Sequence, residues 1–247
     1  MDPTVFKQSL LTLSVLNLVV STEPVDVAES LVTLANSKWT NVRAVTRKGV
    51  CPVREYLSGH TLRVATAFKK LGALGQIVAI EEDQGEPKAE KAEEALDEVL
   101  HQDPKNLQML YVATDLWPHL SEPTVMAAVQ RIREQRRTDE RVIKSIFIVV
   151  PSLDYVPEVF RPTFTVLKDE GLTAAQAKAR LDYAFGHLSA KLKEGTVDET
   201  VRLCTGLTSS EVDKAIANGY LKARKLKDPD GLDITEAVRD YRKEHGR

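Results

Sequence analysis

The sequence predicts an α/β protein: a parallel sheet covered by helices on both faces, followed by a purely helical segment. Three observations lead there. Several short runs are apolar on both faces, a pattern a strand needs when helices cover it on both sides. These runs alternate with stretches of helical period, the arrangement that produces parallel strands. From Leu172 onward the β-type runs stop. The expected organisation is a core over residues 1–170 and a helical domain over 171–247, with no internal repeat.

Residues 14–20 read as the first strand, and an amphipathic helix follows with Val27, Leu31 and Leu34 on one face. Thr22 is the expected N-cap, and Pro24 falls near the first helical position, where its missing N–H costs nothing. "NVRAVTR" (41–47) reads as a second strand, "VREYLSGHTLRVATAFKKLGALG" as a long helix ending at a glycine, and "QIVAIEE" as a short β-prone run. "DQGEPKAEKAEEALDEVLHQD" begins as a charged loop and turns helical from about Glu90. "LQMLYVATD" (107–115) is a buried strand bounded by Asp115. The helix "SEPTVMAAVQRIREQRR" follows, with Ser121 as its expected cap and Pro123 behind it. "KSIFIVVPS" (144–152) and "TFTVLKD" (163–169) are the last strands. Beyond them come four helical segments, "LTAAQAKARLDYAFGHLSAKL", "TVDETVRLCTG", "LTSSEVDKAIANGYLKARKL" and "LDITEAVRDYRKEH", with "DPDG" (228–231) as a turn before the last.

Composition narrows the function classes. At 247 residues, 43% hydrophobic and 28% charged, the chain can bury a substantial core. Its formal net charge of -2 gives no overall positive field to attract nucleic acid or anionic membrane. Cys51 and Cys204 lie far apart, match no metal spacing, and read as free thiols in a reducing compartment. Lys7 before "SLLTLSVLNLVV" superficially resembles a signal peptide. Asp2 and the lack of a small-residue cleavage site argue against one, and Asn17 and "STEP" end the run too early for a membrane span. A cytoplasmic, soluble protein is expected.

The turn after the first strand is where α/β nucleotide-binding proteins hold phosphate. A phosphate loop needs glycines to turn successive N–H groups inward, a lysine for the β/γ charge and a Ser or Thr for Mg²⁺. No GxxxxGK[ST] occurs in the sequence, and the turn carries Glu23 and Asp26 instead. Acids there favour the helix N-terminus by a few tenths to about 1 kcal/mol each, so they read first as helix-capping groups. In "QRIREQRRTDER" (130–141), Arg131, Arg133, Arg136, Arg137 and Arg141 alternate with Glu134, Asp139 and Glu140, and no aromatic is present for base stacking. That stretch, like "EPKAEKAEEALDE", reads as a solvated face. Cys51 with His60, and His101, His119 and His187, form no hydrolase or metal-binding spacing.

The order of elements, together with certain phrases, resembles the AAA+ ATPase superfamily. The strand ending in Asp115 sits where the Walker B aspartate sits, and "SIFIVVPS" sits at the sensor-1 strand with Ser152 at its tip. "VPEVFRPTFTVL" looks like the stretch carrying the arginine finger, which makes Arg161 the candidate. "TGLTSSEVDKAI" (205–216) looks like the helical-lid segment, where a glycine precedes a capped helix with alanines on its packing face, and "LDITEAVRDY" (232–241) is similar to the closing lid helix. Within the superfamily the chain is similar to the degenerate first module of tandem-AAA proteins of cyanobacteria and chloroplasts, on "VSTEP" and "WTNVRAVTRKGV".

The resemblance implies a P-loop NTPase-like parallel-sheet core with a C-terminal helical lid. It also implies a site broken twice, because Asp115 would hold Mg²⁺ but Leu116 stands where a second acid should orient the attacking water. A finger acts in trans, so Arg161 would survive the loss of its own P-loop; the usual second arginine is missing, since Thr163 and Thr165 follow. The plain alternative is a solvated arginine ahead of Pro162. The expected function is therefore a non-catalytic assembly or regulatory subunit, in a homo-oligomer or with a Walker-competent AAA+ ATPase, and no bound cofactor is expected. One alternative is an ATPase binding ATP and Mg²⁺ through Asp115 and backbone near Thr22. The other is an accessory factor on nucleic acid, which a steeply salt-dependent DNA shift would reveal.

Overall fold

β-Branched and apolar runs that can bury both faces become the inner strands of a sheet, and the helices between them supply the covering layers. A computed structural model describes residues 14–38, 41–46, 49–74, 92–101, 109–138, 144–188, 190–223 and 231–244. The described residues fall into two units, one lying within 2–58 and 83–169, the other within 59–82 and 170–247.

The first unit is built on a six-stranded sheet of order β3-β2-β4-β5-β1-β6. The strands are β1 (Leu16–Val20), β2 (Asn41–Thr46), β3 (Gly49–Pro52), β4 (Met109–Ala113), β5 (Lys144–Val150) and β6 (Thr165–Lys168). All neighbours are parallel except β3, which runs antiparallel to β2 with Thr46 opposite Gly49. Every residue of β4 and β5 is buried, as expected of strands covered on both faces. On one face Leu18, Tyr111 and Ile148 share a core with Leu96 of α3 (Ala92–His101) and Val129 and Ile132 of α4 (Pro123–Thr138). α1 (Pro24–Lys38) buries Val27 and Leu31 and packs against β2 and β4; the side chain of Leu34 lies outside the described residues.

Polar staples fix the register at the amino ends of the strands. Asn17, fully buried, donates from Nδ2 to the carbonyls of Ile146 and Ser14, each at 3.3 Å. Lys144 is also buried, and its Nζ donates to Val99 O (2.9 Å), Leu100 O (2.8 Å) and Gln135 Oε1 (3.1 Å). Three donors meet three acceptors, and two of those acceptors are carbonyls in the last turn of α3 that have no partner within the helix. A cation is well matched to that negative helix end.

The edge strand β3 is absent from the sequence-based expectation. "GVCP" is short, ends in proline and abuts a strong helical pattern; proline is tolerated there because the strand lies at the sheet edge. The β-prone run 76–82, the charged loop 83–91 and residues 228–230 lie outside the described residues.

The second unit is helical: α5 (Ala174–Leu188), α6 (Val197–Cys204), α7 (Ser209–Ala223) and α8 (Thr235–Glu244), joined by the later part of α2 (Val53–Leu74). Val64, Phe68 and Leu71 of α2 share a core with Leu181 and Phe185 of α5, Ile216 and Tyr220 of α7, and Val238 of α8. Two capping boxes start its helices. Thr173 and Gln176 exchange N–H-to-side-chain bonds ahead of α5, and Thr208 N–H reaches Glu211 Oε2 at 2.7 Å ahead of α7. Ala215, Ala217 and Ala223 form part of the buried face of α7. Arg180 holds Asp213 with Nε at 2.7 Å and a second bond from its Nη2, joining α5 to α7. Arg242 donates to Leu203 O (2.7 Å) and Thr205 O (2.9 Å), closing the end of α6.

Gly171 and Gly206 make the tightest crossing of this unit. Leu172 N–H bonds Leu207 O at 2.8 Å and Gly206 N–H bonds Leu172 O at 2.9 Å, so two backbones lie in direct contact. Gly171 has φ +82°, and a Cβ placed there would meet Gly206 O at 2.4 Å. Both the dihedral and the space exclude a side chain.

We expect Gly171→Ala to lower stability by roughly 2–4 kcal/mol, read as a lower urea midpoint at unchanged slope. Gly186→Ala, inside α5 with nothing within 4 Å of the added carbon, is expected to raise stability by about 0.5–1 kcal/mol. Burial pushes the Cys204 thiol up from 9.0 to about 12 and the Tyr111 hydroxyl up from 10.0 to about 12. The folded state therefore keeps protons that the unfolded chain releases, so the stability these groups contribute is complete below about pH 9 and lost as pH rises toward 12. A urea midpoint falling from pH 8 to pH 10.5 checks the sign.

Candidate functional site

The chain leaves β1 for β2 on one side, returns through β4 and β5, and places β6 on the other side of β1. Strand order thus reverses at β1, and in open α/β sheets ligands bind in the crevice at the carboxyl ends of the strands at such a point. The residues there are Ser21 after β1, Asp115 after β4, Ser152 after β5 and Asp169 after β6.

The head of α1 is held by its own side chains. Ser21 N–H donates to Val150 O at 2.9 Å and Asp169 N–H to Val20 O at 3.1 Å, which extends the parallel ladders one step past the strands. Ser21 Oγ then donates to Asp169 Oδ2 at 2.6 Å and accepts from Glu23 N–H at 3.0 Å. Val27 N–H reaches Glu23 O at 3.3 Å, so Glu23 occupies the cap position and Thr22, the expected cap, lies exposed one residue earlier. Pro24 carries no amide hydrogen. Asp26 adds a buried carboxylate to the first turn, which suits the helix's positive end and opposes a phosphate.

Asp115 is half-buried beyond β4. Leu116 is fully buried in the main core, so an acid in its place would need to leave water without a partner. The adjoining turn carries His119, whose Nδ1 lies 2.7 Å from Glu122 Oε1. Met126 N–H reaches Glu122 O at 3.1 Å, which makes Glu122, one residue past the expected Ser121, the cap position of α4. Ser152 caps the single turn Leu153–Tyr155: its hydroxyl accepts from Asp154 N–H at 3.2 Å and donates to Asp154 Oδ2 at 2.8 Å.

Arg161 lies in the turn Glu158–Thr163 ahead of β6 and folds back over its own loop. Nε donates to Val156 O at 3.0 Å, and the two terminal nitrogens lie 4.0 Å from Asp154 and 3.9 Å from Glu158. Its side chain is 32% exposed, against 91% for Asp154 and 89% for Glu158.

Of the arginine-rich stretch, Arg131 pairs with Asp97 at 3.0 Å across α3 and α4; the side chains of Arg136 and Arg137, and Arg141 entirely, lie outside the described residues. His101 and His187 each place Nδ1 on the carbonyl four residues back, Asp97 O at 2.7 Å and Tyr183 O at 2.8 Å. Cys51 lies half-buried on β3 and Cys204 buried at the end of α6. Among the described residues no group of three or more His, Cys, Asp and Glu is placed to hold a metal, and no helix is long and apolar enough to cross a membrane.

Sequence reasoning missed the Ser21–Asp169 pair and the two acids beside Arg161. The first depends on β1 and β6 being neighbours, which only the strand order reveals; the second follows from a tight turn whose signals were Pro157 and Pro162.

No family model matches the sequence, and no curated protein matches it. Solved structures similar to the chain include the RuvB Holliday junction branch migration motor of Thermotoga maritima, at 10% identity and TM-score 0.49, covering 99% of this chain and 69% of that one. A chain of the E. coli MS115-1 HORMA:CdnC:Trip13 complex is similar at 12% identity and TM-score 0.48, covering 93% and 74%. The Walker-type ATPase PabY2304 of Pyrococcus abyssi is similar at 11% identity and TM-score 0.47, covering 98% and 70%.

We expect Ser21→Ala to cost about 1–2 kcal/mol, because it removes an acceptor from Glu23 N–H and a donor from Asp169. Chemical denaturation of the two proteins side by side measures it.

Proposed function

We propose that the chain is an AAA+-like module that does not hydrolyse nucleotide itself and serves as an assembly or regulatory subunit, offering Arg161 to the nucleotide of a Walker-competent partner. The helical unit is its lid domain; the subunit assembles with other copies of the chain or with a different AAA+ ATPase. Only the latter supplies the nucleotide that Arg161 would serve, because every copy of the chain carries the same turn without glycine or lysine. The observation that carries this reading is the head of α1. There the amide of Glu23 is directed to Ser21 Oγ, the next residue has no amide hydrogen, and Asp26 sits buried in the first turn. A triphosphate needs several N–H groups converging on it and a cation beside them. This turn offers carboxylates in that place.

Arg161 suits a role outside its own site. Ion pairs of about 4 Å to nearly fully exposed acids hold a guanidinium weakly. Turning it outward gives up chiefly the bond to Val156 O, a net cost of about 1 kcal/mol. An arginine supplied in trans to a transferring phosphoryl group raises turnover by orders of magnitude. A cytoplasmic setting fits this role, and the net charge of -2 does not favour a nucleic-acid partner.

Titration calorimetry with Mg-ATP is expected to show no binding tighter than about 1 mM, and micromolar affinity would overturn the reading. In a reconstituted complex, Arg161→Ala is expected to leave folding intact and lower the partner's ATP turnover by about tenfold or more. An unchanged rate removes the finger.

A further inference from the structure

We propose that the connection between β5 and β6 is a docking platform for a cationic, amphipathic segment of a partner protein. This deepens the function proposed above by naming the partner's chemistry, and rests on that reading only for placing a partner on this face. The platform is rigid from below. Val156 is fully buried, and Leu153 and Phe160 pack on the sheet core. Two short helical turns, Leu153–Tyr155 and Glu158–Thr163, and the rings of Pro157 and Pro162 fix the backbone between them. A surface already fixed in shape loses little conformational freedom on binding.

The platform exposes two apolar side chains and two acids within six residues. Val159 is 75% exposed and Tyr155 44%, two of the four large hydrophobic residues exposed among those described. Tyr155 is held edge-on against Trp117, with ring centroids 4.5 Å apart, so its orientation is set. Asp154 and Glu158 stand almost fully in water beside them. Pairs so exposed and so long add little to stability. Asp154 also accepts from Ser152 Oγ at 2.8 Å, whereas Glu158, among the described residues, is held only by its long pair to Arg161. Two exposed acids against one arginine, in a segment that also exposes Val159 and Tyr155, complement a helix with leucines on one face and lysines along its border. Aromatic and apolar anchors with a charged rim are the usual anatomy of a protein interface.

The test is fluorescence anisotropy with the whole chain and a labelled 16-residue peptide of leucine and lysine in helical period, with two controls. One control replaces every lysine by glutamate, and the other scrambles the order to abolish the apolar face. We expect micromolar binding of the first peptide, with both controls weaker by about tenfold or more. Val159→Asp and Glu158→Lys, both at exposed positions that leave the melting temperature unchanged, are each expected to weaken it by about tenfold. Equal binding to wild type and to both variants would overturn the proposal, as would binding weaker than about 1 mM. Concentration-dependent self-association abolished by Val159→Asp would overturn it too, by making a second copy the occupant. Arg161→Ala separates the two ideas: peptide binding retained with partner turnover lost supports both, and binding absent with turnover still dependent on Arg161 sinks the platform alone.

Discussion

Ser21 is the pivot of the structure. Its amide continues the pairing of β1 with β5, and its hydroxyl ties the residue after β6 to the amide of Glu23, the cap position of α1. Those contacts fix where the chain turns from strand to helix at the point of strand reversal, and they also occupy groups a ligand would use. One side chain therefore completes the fold and takes up the Glu23 amide at the carboxyl end of β1. In a glycine-rich loop the same positions stay open because nothing on the chain competes for the amides.

The alternation of doubly apolar runs with helical stretches was enough to read β1, β2, β4, β5 and β6 and the four C-terminal helices, because burial on both faces leaves a continuous signal. β3 was not legible: four residues ending in proline carry no periodicity, and only the hydrogen-bonding edge of β2 makes them a strand. The cap positions slipped by one residue, from Thr22 to Glu23 and from Ser121 to Glu122. In both cases a backbone carbonyl rather than the hydroxyl side chain marks the helix start. At the site, the lack of glycine and lysine after β1 was visible directly, whereas the Ser21–Asp169 bond joins residues 148 positions apart and needs the sheet order.

The two cores use polar groups differently. In the sheet unit, Asn17 and Lys144 sit buried at strand starts, where partial satisfaction would be costly and full satisfaction specifies a single register. In the helical unit many polar groups lie at helix ends, in capping boxes and in Arg242's hold on Leu203 and Thr205, and Arg180–Asp213 ties α5 to α7 beside an alanine- and leucine-rich interior. The Gly171–Gly206 crossing belongs to the same design, since it lets backbone replace side chain as packing material.

The helix α2 contributes to both units, because the division falls between Ser58 and Gly59 inside it. Val64, Phe68 and Leu71 are thus encoded more than a hundred residues ahead of Leu181 and Ile216, the neighbours they need. During synthesis those three side chains emerge with no apolar shelter and must wait for the carboxyl-terminal half. A gene divided at residue 170 would strand them on the wrong product, leaving one fragment with an oily flap and the other with a hollow. Each piece of such an interleaved arrangement would expose apolar surface until the other is at hand.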